Sequence, residues 1–384
     1  MSKSNTPKVL MIAWSDLRFY PPVFNLAQTL QRQGVATKTL GFKVSSPKGS
    51  KPCDSSDSTV HKVNAAPVGL LGKANCFIRM VAWLAVQCVS WRPTCVVAHG
   101  SQAVSLAVCA SWLSGAKLIY CAHEMSDDAP DSPWLRIANY FEARASRRFF
   151  AVACAAPERA EILARRFKLR TEPLVVENSP LADDGFCACS VDTAVEFARR
   201  KVPAAEYVVV YAGRFGKGMG FAELCSAIRS LPDNYVLVAA GAVDADFRAK
   251  FQDLFRAPRV LYYGTVPYPH LRRWLRGGSA GVAFYEPKSA NTLHAAPCKM
   301  YEYLAAGLPV ICNSFPTSRA TVGRHGLGRC LDEFAPQVIA SAIRDTCEAG
   351  DRLALSDACR RFFEEELSYE CRADGLVAAC IGAR

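Results

Sequence analysis

Two short segments of the chain carry residue types that can bind a phosphorylated ligand. The first, GRFGKGMG at 213–220, follows an apolar run and combines four glycines with Arg214 and Lys217. Glycines let a backbone approach a ligand closely, and two cations beside a helix N-terminus suit a diphosphate. The spacing fits neither a P-loop nor a dinucleotide-binding turn, so a glycine turn with two solvated cations is the alternative.

The second segment reads PCKMYEYLAAGLPV, and its Pro and first Gly suit the start and stop of a helix over 298–306. Lys299 and Glu302 lie three residues apart, which puts them on one face of that helix near its N-terminus. A carboxylate in this position can accept both hydroxyls of a ribose, and the lysine can meet a phosphate. A plain surface salt bridge is the competing interpretation.

The elements that would position these residues are apolar strands alternating with helices. Continuous apolar strands separated by helical patterns indicate parallel sheets covered on both faces. In the first half, the pattern predicts strands at 8–14, 94–100, 116–124, 149–156 and near 173, and helices at 23–33 and 135–148. In the second half, it predicts strands at 206–214, 235–241, 259–264, 279–286 and 308–314.

The fold class that follows is α/β, with two doubly wound Rossmann-like domains facing a cleft. We place the boundary in the polar loop of PLVVENSPLADDG. The first domain spans 1–183, with a C-terminal helix at about 366–384 that packs back on it, and the second spans 184–365. Ligands of such sheets bind beyond the carboxyl ends of the strands, where both candidate segments lie.

Composition narrows the class of protein. The 384 residues are 51% hydrophobic with a net charge of +11, which indicates a globular protein with a sizeable core. Residues 1–100 hold twelve Lys or Arg against three Asp, a net charge of +9, so a basic face is expected there. An anionic partner such as a membrane surface is expected for this face, with a merely solvated surface as the alternative.

The cysteines and the apolar segments also carry information. The chain has 17 cysteines but no Cys-x-x-Cys pair and no signal-peptide pattern. We interpret Cys76, Cys88, Cys109, Cys121, Cys154, Cys225, Cys312 and Cys380 as reduced core residues in apolar runs. The run MVAWLAVQCVSW is too short to span a bilayer, and it is either a core helix or an interfacial helix flanked by Lys73, Arg79 and Arg92.

At this point the sequence resembles a known family, the retaining glycosyltransferases of family 4 with the GT-B fold. The segments that carry the resemblance are SDLR, IYCAHEMSDD, APERAEIL with Glu142 before it, VVENSP, GRFGKG, YEP, NTLHAAPCKMYEYLAAGLPVI and SYECRADGLVAAC, in this order. Pro297, Lys299, Glu302 and Tyr303 are similar to a subgroup with a Pro-x-Lys-x-x-Glu-Tyr donor motif. His294 stands eight residues before Glu302, where other members carry a glutamate.

The resemblance assigns roles to residues of the second domain. It implies that Arg214 and Lys217 hold the diphosphate of a nucleotide-sugar and that Glu302 binds the ribose. The full set of donor-binding residues that it implies is Gly213, Arg214, Gly216, Lys217, Asn291, His294, Lys299 and Glu302. No cofactor and no metal are expected, since cations and helix N-termini can offset the charge of the leaving diphosphate.

In the first domain, polar residues follow predicted strands at the edge expected to face the cleft. His123 and Glu124 follow one strand and are the catalytic candidates, to orient an acceptor, stabilise the leaving group or accept a proton. Asp16 and Arg18 follow the first strand and are placed on the acceptor side. His99, after a third strand, is a weaker candidate.

The predicted activity is hexosyl transfer, with retention, from a nucleotide-sugar to a polysaccharide or lipid-linked acceptor. A cytoplasmic protein, peripheral on the inner face of the membrane, fits the basic first domain. A nucleotide-sugar 2-epimerase of the same fold and a non-catalytic nucleotide-sugar binder are the alternatives. Nucleic acid is not expected as a partner, because the basic loop after Phe42 lacks interleaved aromatic residues.

Overall fold

The computed structural model describes residues 6–17, 20–43, 60–64, 69–125, 132–183, 191–244, 246–247, 253–254 and 257–382. The chain forms two compact units. The first unit comprises Met1–Glu177 together with Arg372–Arg384, and the second comprises Asn178–Cys371. The polar loop over 44–59 lies outside the described residues.

The first unit is built on a seven-stranded sheet in the order β3-β2-β1-β4-β5-β6-β7, and every pair of neighbouring strands is parallel. The order reverses direction between β1 and β4. The strands are β1 Lys8–Asp16, β2 Ala36–Lys43, β3 Val60–Asn64, β4 Cys95–His99, β5 Lys117–Ala122, β6 Ala151–Cys154 and β7 Leu174–Val175. The helices are α1 Pro21–Arg32, α2 Gly69–Ser90, α3 Val104–Ser114, α4 Pro133–Ala145 and α5 Pro157–Phe167.

Helices pack on both faces of this sheet and so bury its strands. One core cluster joins strand residues such as Leu10 and Tyr120 to Met80 of α2 and Leu106 of α3. The last helix of the chain, α15 at Asp374–Ile381, contacts β1, β4 and α1. Arg372 is held at the start of this segment by a two-bond ion pair, in which its Nε and Nη2 donate to Glu177 at 2.8 and 2.6 Å.

The second unit carries a six-stranded parallel sheet in the order β10-β9-β8-β11-β12-β13. Its strands are β8 Tyr207–Ala212, β9 Tyr235–Ala240, β10 Val260–Gly264, β11 Ala280–Ala283, β12 Val310–Asn313 and β13 Gly328–Leu331. Its helices are α6 Ala194–Lys201, α7 Phe221–Ser230, α8 Tyr268–Leu275, α9 Ala290–Leu293, α10 Cys298–Ala305, α11 Pro316–Ser318, α12 Pro336–Cys347, α13 Arg352–Phe362 and α14 Tyr369–Arg372.

The strand order of the second unit also reverses direction once, between β8 and β11. These two strands pair only through Ala280 with Val209 and Gly281 with Val210, so they are not paired at their carboxyl ends. A crevice at such a reversal point is where doubly wound sheets bind ligands. The two sheets confirm the α/β fold class with doubly wound units.

One cysteine differs from the expectation. Cys109 lies on the exposed side of α3 and is not a core residue, whereas the other seven cysteines assigned to the core are buried. Cys109 was assigned to the core because α3 is apolar on its outer side as well as on its inner side.

In the parts of the chain that the structure describes, no helix is both long enough and apolar enough to cross a membrane.

Candidate donor-binding site at the β8–β11 crevice

Helix α10 brings the charged pair to the carboxyl edge of the second sheet. The helix begins directly after Pro297, ends at Ala305 before Gly307, and contacts β11 and β12. Gly307 has φ +79°, a left-handed conformation that stops the helix at little steric cost. Lys299, in the first turn, is 8% exposed, whereas Glu302 is partly exposed.

The Lys299 ammonium lies in an aromatic pocket. Its Nζ donates to the Tyr211 hydroxyl at 3.1 Å and lies 4.1 Å from the centroid of the same ring. The Tyr285 ring is 5.3 Å away, so two aromatic faces surround the cation. Gly213 leaves room for the lysine stem, since a Cβ there would lie 2.2 Å from the Lys299 Cε.

Tyr211 links the lysine to the glycine-rich loop. Its hydroxyl donates to the backbone carbonyl of Arg214 at 2.9 Å while it accepts from Lys299. The Arg214 side chain points into solvent, 70% exposed, where its Nε donates to Asp244 at 2.7 Å. The structure therefore brings Gly213, Arg214 and Lys299 together at one edge of the sheet.

Tyr303 lies where β8 and β11 are no longer paired. Its hydroxyl accepts from the Ala212 amide at 2.9 Å and donates to the Val282 carbonyl at 3.1 Å. Both backbone groups would otherwise be buried without a partner, which would destabilise this end of the sheet. One buried phenol thus keeps the two strand ends apart and the crevice open.

Burial changes the ionisation of both charged residues of α10. Desolvation lowers the pKa of Lys299 to about 8, while the neighbouring Glu302 carboxylate opposes that change. Desolvation raises the pKa of Glu302 to about 7, against the effect of Lys299 and Arg272. The Glu302 carboxylate makes no hydrogen bond to a described residue, so its oxygens are available to a ligand.

The glycine-rich loop is fixed from its other side. The Glu286 amide donates to the Gly218 carbonyl at 2.7 Å, which ties the loop to the segment after β11. Gly216 packs against Asp244, since a Cβ there would lie 2.8 Å from the Oδ2. Lys217 is exposed and lines a cavity of about 530 Å³ that Phe221, Phe247, Phe284, Phe334, Glu223, Asp244, Asp246 and Glu286 also line.

Two predicted donor residues lie in or beside the short helix α9. Asn291 is partly exposed within it, and His294 follows its last residue. Among the described residues, no hydrogen bond joins His294 to Lys299 or Glu302. The structure brings Lys299, Gly213 and the Arg214 backbone together around Tyr211 and places Glu302 on the same helix as Lys299, and no hydrogen bond or ion pair within the described part of the chain joins Lys217 or His294 to this group.

In the first unit, His123 follows β5 directly. Its Nε2 lies 2.9 Å from the Nδ1 of His99, and the Tyr20 ring meets it edge-on at 5.4 Å between centroids. Arg159 holds the backbone here by donating to the His123 carbonyl at 2.7 Å. Glu124 is exposed.

The two acceptor-side candidates are only partly covered by the description. Asp16 ends β1, but its side chain lies outside the described residues, as does the whole of Arg18.

Sequence reasoning missed Tyr211 and the arginine that acts on Glu302, and it named Tyr303 only as part of the donor motif, not as a bridge between strands. Tyr211 is typical of an apolar strand, although it lies near the end of a strand whose following loop was already a candidate. Arg272 on α8 lies far from Glu302 in sequence, and no local signal indicates that it acts on this carboxylate.

Two families match the sequence, one for each half of the chain. Residues 23–178 match the glycosyl transferase 4-like domain, and residues 192–361 match glycosyl transferases group 1. No curated protein matches the chain.

Solved structures share the fold at low sequence identity. Sucrose-phosphate synthase from Thermosynechococcus elongatus has a TM-score of 0.69 at 15% identity, over 96% of this chain and 97% of that one. Anabaena Alr3699/HepE, solved in complex with UDP-glucose, has a TM-score of 0.68 at 15% identity, over 97% and 98%. A protein from Listeria monocytogenes that is described as a UDP-N-acetylglucosamine 2-epimerase has a TM-score of 0.64 at 12% identity, over 97% of this chain and 95% of that one.

Proposed function

Because the chain belongs to the GT-B glycosyltransferases, we propose that it transfers a hexose from a nucleotide-sugar to a glycan or lipid-linked acceptor, with retention of the anomeric configuration. HepE, a neighbour of this fold, binds UDP-glucose, which makes a uridine diphosphate sugar the first donor to test. No metal is proposed for the transfer step. The cations and the N-terminus of α10 offset the charge of the departing diphosphate.

The observation that carries the proposal is the pair of a buried Lys299 and a partly exposed Glu302 on α10, beside the β8–β11 reversal point. The Lys299 ammonium is held 3.1 Å from the Tyr211 hydroxyl, and the Glu302 carboxylate has no hydrogen-bond partner among the described residues. A diphosphate would meet Lys299, and the two hydroxyls of a ribose would donate to Glu302. Arg214 and Lys217, both exposed, would reach the outer phosphate oxygens.

His123 is the catalytic candidate of the first unit, and Glu124 is the second. His123 is partly exposed, and its ring position is fixed by His99 and by Tyr20. A ring fixed in this way can hold a substrate hydroxyl in one orientation or stabilise charge on a leaving group. Glu124 is exposed and can accept a proton from an acceptor hydroxyl.

Calorimetric titration with UDP-glucose tests the donor site. In Glu302→Gln, the amide can no longer accept from both ribose hydroxyls as a carboxylate does, and we expect affinity to fall more than tenfold with an unchanged melting temperature. Glu365→Gln, which alters an exposed carboxylate of the same unit, is the matched control and should bind as the wild type does. Wild-type affinity in Glu302→Gln would remove Glu302 from the site.

Incubation with UDP-N-acetylglucosamine and no acceptor separates transfer from 2-epimerisation. A transferase leaves the sugar configuration unchanged, whereas an epimerase produces the C2 epimer, which NMR detects directly. Accumulation of the epimer would reject the transfer proposal. With an acceptor present, the anomeric coupling constant of the product tests retention.

We also propose that the outer face of α2, α3 and α4 rests on an anionic membrane surface. Contacts join α2 to α3 and α3 to α4, so these helices form one continuous layer of the first unit. Large apolar side chains point outward along it: Leu71, Ile78, Val86, Val89, Trp112, Leu113, Ile137, Tyr140 and Phe141, each at least 43% exposed. Patches of this kind on a protein without a bound partner indicate an interaction surface.

The charge of this layer selects anionic lipid over a second copy of the chain. Exposed arginines are distributed over it and just beyond it, namely Arg79, Arg92, Arg136, Arg144, Arg147 and Arg148. Glu142 is the one acidic residue in the sequence of the three helices, and it is buried. Two such faces would repel each other, whereas phosphate headgroups attract the cations while the apolar side chains enter the interface.

Vesicle sedimentation tests this surface. We expect binding to vesicles that contain phosphatidylglycerol, weak binding to pure phosphatidylcholine, and more than tenfold weaker binding for the double variant Ile78→Ser, Val86→Ser. Leu353→Ser removes an 80% exposed leucine from the second unit and serves as the matched control. Equal binding of the double variant and the control, or dimerisation without lipid binding, would refute the proposed membrane surface.

A further inference from the structure

A His-Cys-His cluster lies at the carboxyl edge of the first sheet. His99 ends β4, His123 follows β5, and Cys121 is directly opposite His99 in the parallel register of these two strands. One ligand atom from each residue lies within 4.8 Å of the other two. Because both strands belong to the rigid centre of the sheet, the three side chains are positioned by backbone pairing rather than by a loop.

The ring nitrogens are already close to a metal-binding spacing. The Nδ1 of His99 and the Nε2 of His123 are 2.9 Å apart. Two nitrogens bound at about 2.05 Å in a tetrahedron lie roughly 3.3 Å apart, so a shift of a few tenths of an ångström suffices. The planes of the two rings are parallel within 2°, and their centroids lie 5.2 Å apart.

The burial of the cluster also fits a ligand set. His99 and Cys121 are both 3% exposed, while His123 is partly exposed at the edge. The Nε2 of His99 has no hydrogen-bond partner among the described residues.

We propose that His99, Cys121 and His123 form a binding site for a thiophilic divalent cation, with Zn²⁺ as the reference ion. Two imidazoles and one thiolate supply three ligands, and the exposed side of His123 gives access for the ion and for a water as the fourth ligand. On binding, the Cys121 thiol releases one proton to solvent. Mg²⁺ and Ca²⁺ would not bind, because the cluster offers no oxygen ligand.

The test of this site needs no activity measurement. A fixed charge beside the cluster is Arg159, 4% exposed, whose Nη1 donates to the His123 carbonyl at 2.7 Å. Its repulsion of a dication is partly offset by the thiolate, which is why a site with nitrogen ligands alone would be weaker here. A bound ion would occupy the ring nitrogen of His123 that the transfer proposal uses, so Zn²⁺ should also inhibit turnover.

The experiment is a Co²⁺ titration of the full chain after removal of metals with a chelator. All proteins carry Cys109→Ser and Cys371→Ser, which remove two exposed thiols as competing ligands. We expect one equivalent of Co²⁺ to produce a thiolate-to-cobalt charge-transfer band together with four-coordinate visible absorption, and Zn²⁺ to displace it. Mg²⁺ should not displace it.

Variants decide which thiol is responsible. Cys121→Ala should abolish the charge-transfer band and weaken Zn²⁺ binding more than tenfold. Cys154→Ala is the matched control, because this buried cysteine is on the adjacent strand, opposite Ala122, and should leave the band unchanged. If Cys121→Ala does not fold by circular dichroism, His99→Asn takes its place and should weaken Zn²⁺ binding more than tenfold. A wild-type titration without the band, a band that survives in folded Cys121→Ala, or unchanged Zn²⁺ affinity in folded His99→Asn overturns the site.

Discussion

The affinity for a nucleotide-sugar should depend on pH through the two buried groups of α10. The empty site lowers the pKa of Lys299 to about 8 and raises that of Glu302 to about 7, in each case mainly by desolvation. A bound diphosphate stabilises the ammonium, and bound ribose hydroxyls stabilise the carboxylate, so the ligand returns both pKa values toward their ordinary ranges. The ligand therefore favours protonated Lys299 and ionised Glu302.

The sign and size of the effect follow from these populations. As pH rises through about 8, Lys299 loses its proton and affinity falls; as pH falls through about 7, Glu302 gains a proton and affinity also falls. The fraction of empty protein with both groups in the binding form is largest near pH 7.5. At pH 6 and at pH 9 it is about sixfold smaller, which corresponds to roughly 1 kcal/mol of binding free energy.

Calorimetry with UDP-glucose from pH 5.5 to 9.5 measures this profile. Both of its phosphates are esterified, whereas the terminal phosphate of UDP would itself titrate near pH 6 and obscure the acid side. Glu302→Gln should flatten the acid side only, and Lys299→Arg, charged throughout, should flatten the alkaline side only. A flat wild-type profile between pH 6 and 9, or an acid side that persists in Glu302→Gln, would refute the reasoning.

Two further substitutions test the geometry of the crevice. Gly213→Ala should reduce donor affinity more than tenfold, because the added Cβ would lie 2.2 Å from the Lys299 Cε and the backbone φ of +143° disfavours alanine. Calorimetry measures the affinity, and an unchanged value would show that the position of the lysine is unimportant. Tyr303→Phe should lower the free energy of unfolding by about 1–3 kcal/mol by leaving the Ala212 amide and the Val282 carbonyl without their shared partner. Urea unfolding checks this value, and a loss below about 0.5 kcal/mol would mean that water replaces the hydroxyl.

Strands β8, β9, β11 and β12 of the second unit could be predicted from the sequence because nearly all of their residues are buried, whereas β13, whose residues are partly exposed, was not predicted. YVVVYA and YVLVAA are unbroken apolar runs, and they became β8 and β9. β2 was not predicted, since its sequence ATKTLGFK alternates Thr and Lys with apolar residues. Thr37 and Thr39 are nevertheless buried in it, which shows that tertiary packing, not local hydrophobicity, made this segment a strand.

The candidate site could be predicted only where its residues lie close together in sequence. Pro297 and Gly307 bounded the helix and placed Lys299 and Glu302 on one face, as the structure has them. Lys299 is bound by Tyr211, 88 residues before it, and the arginine that opposes the raised pKa of Glu302 lies on another helix, α8. Such contacts depend on the strand order, and a strand order that reverses between β8 and β11 has no local sequence signal.

Helix α10 carries Lys299 in its first turn and Glu302 in the next, and Tyr303 of the same helix lies where the pairing of β8 and β11 has stopped. The pairing of β8 with β11 ends at Val210 and Gly281. Beyond this point the Tyr303 hydroxyl bridges two backbone groups, the Ala212 amide and the Val282 carbonyl. Hydrophobic side chains of the same size would stabilise the empty protein better than a desolvated lysine and glutamate. The proposed donor accounts for the pair, because its diphosphate would interact with Lys299 and its ribose hydroxyls with Glu302.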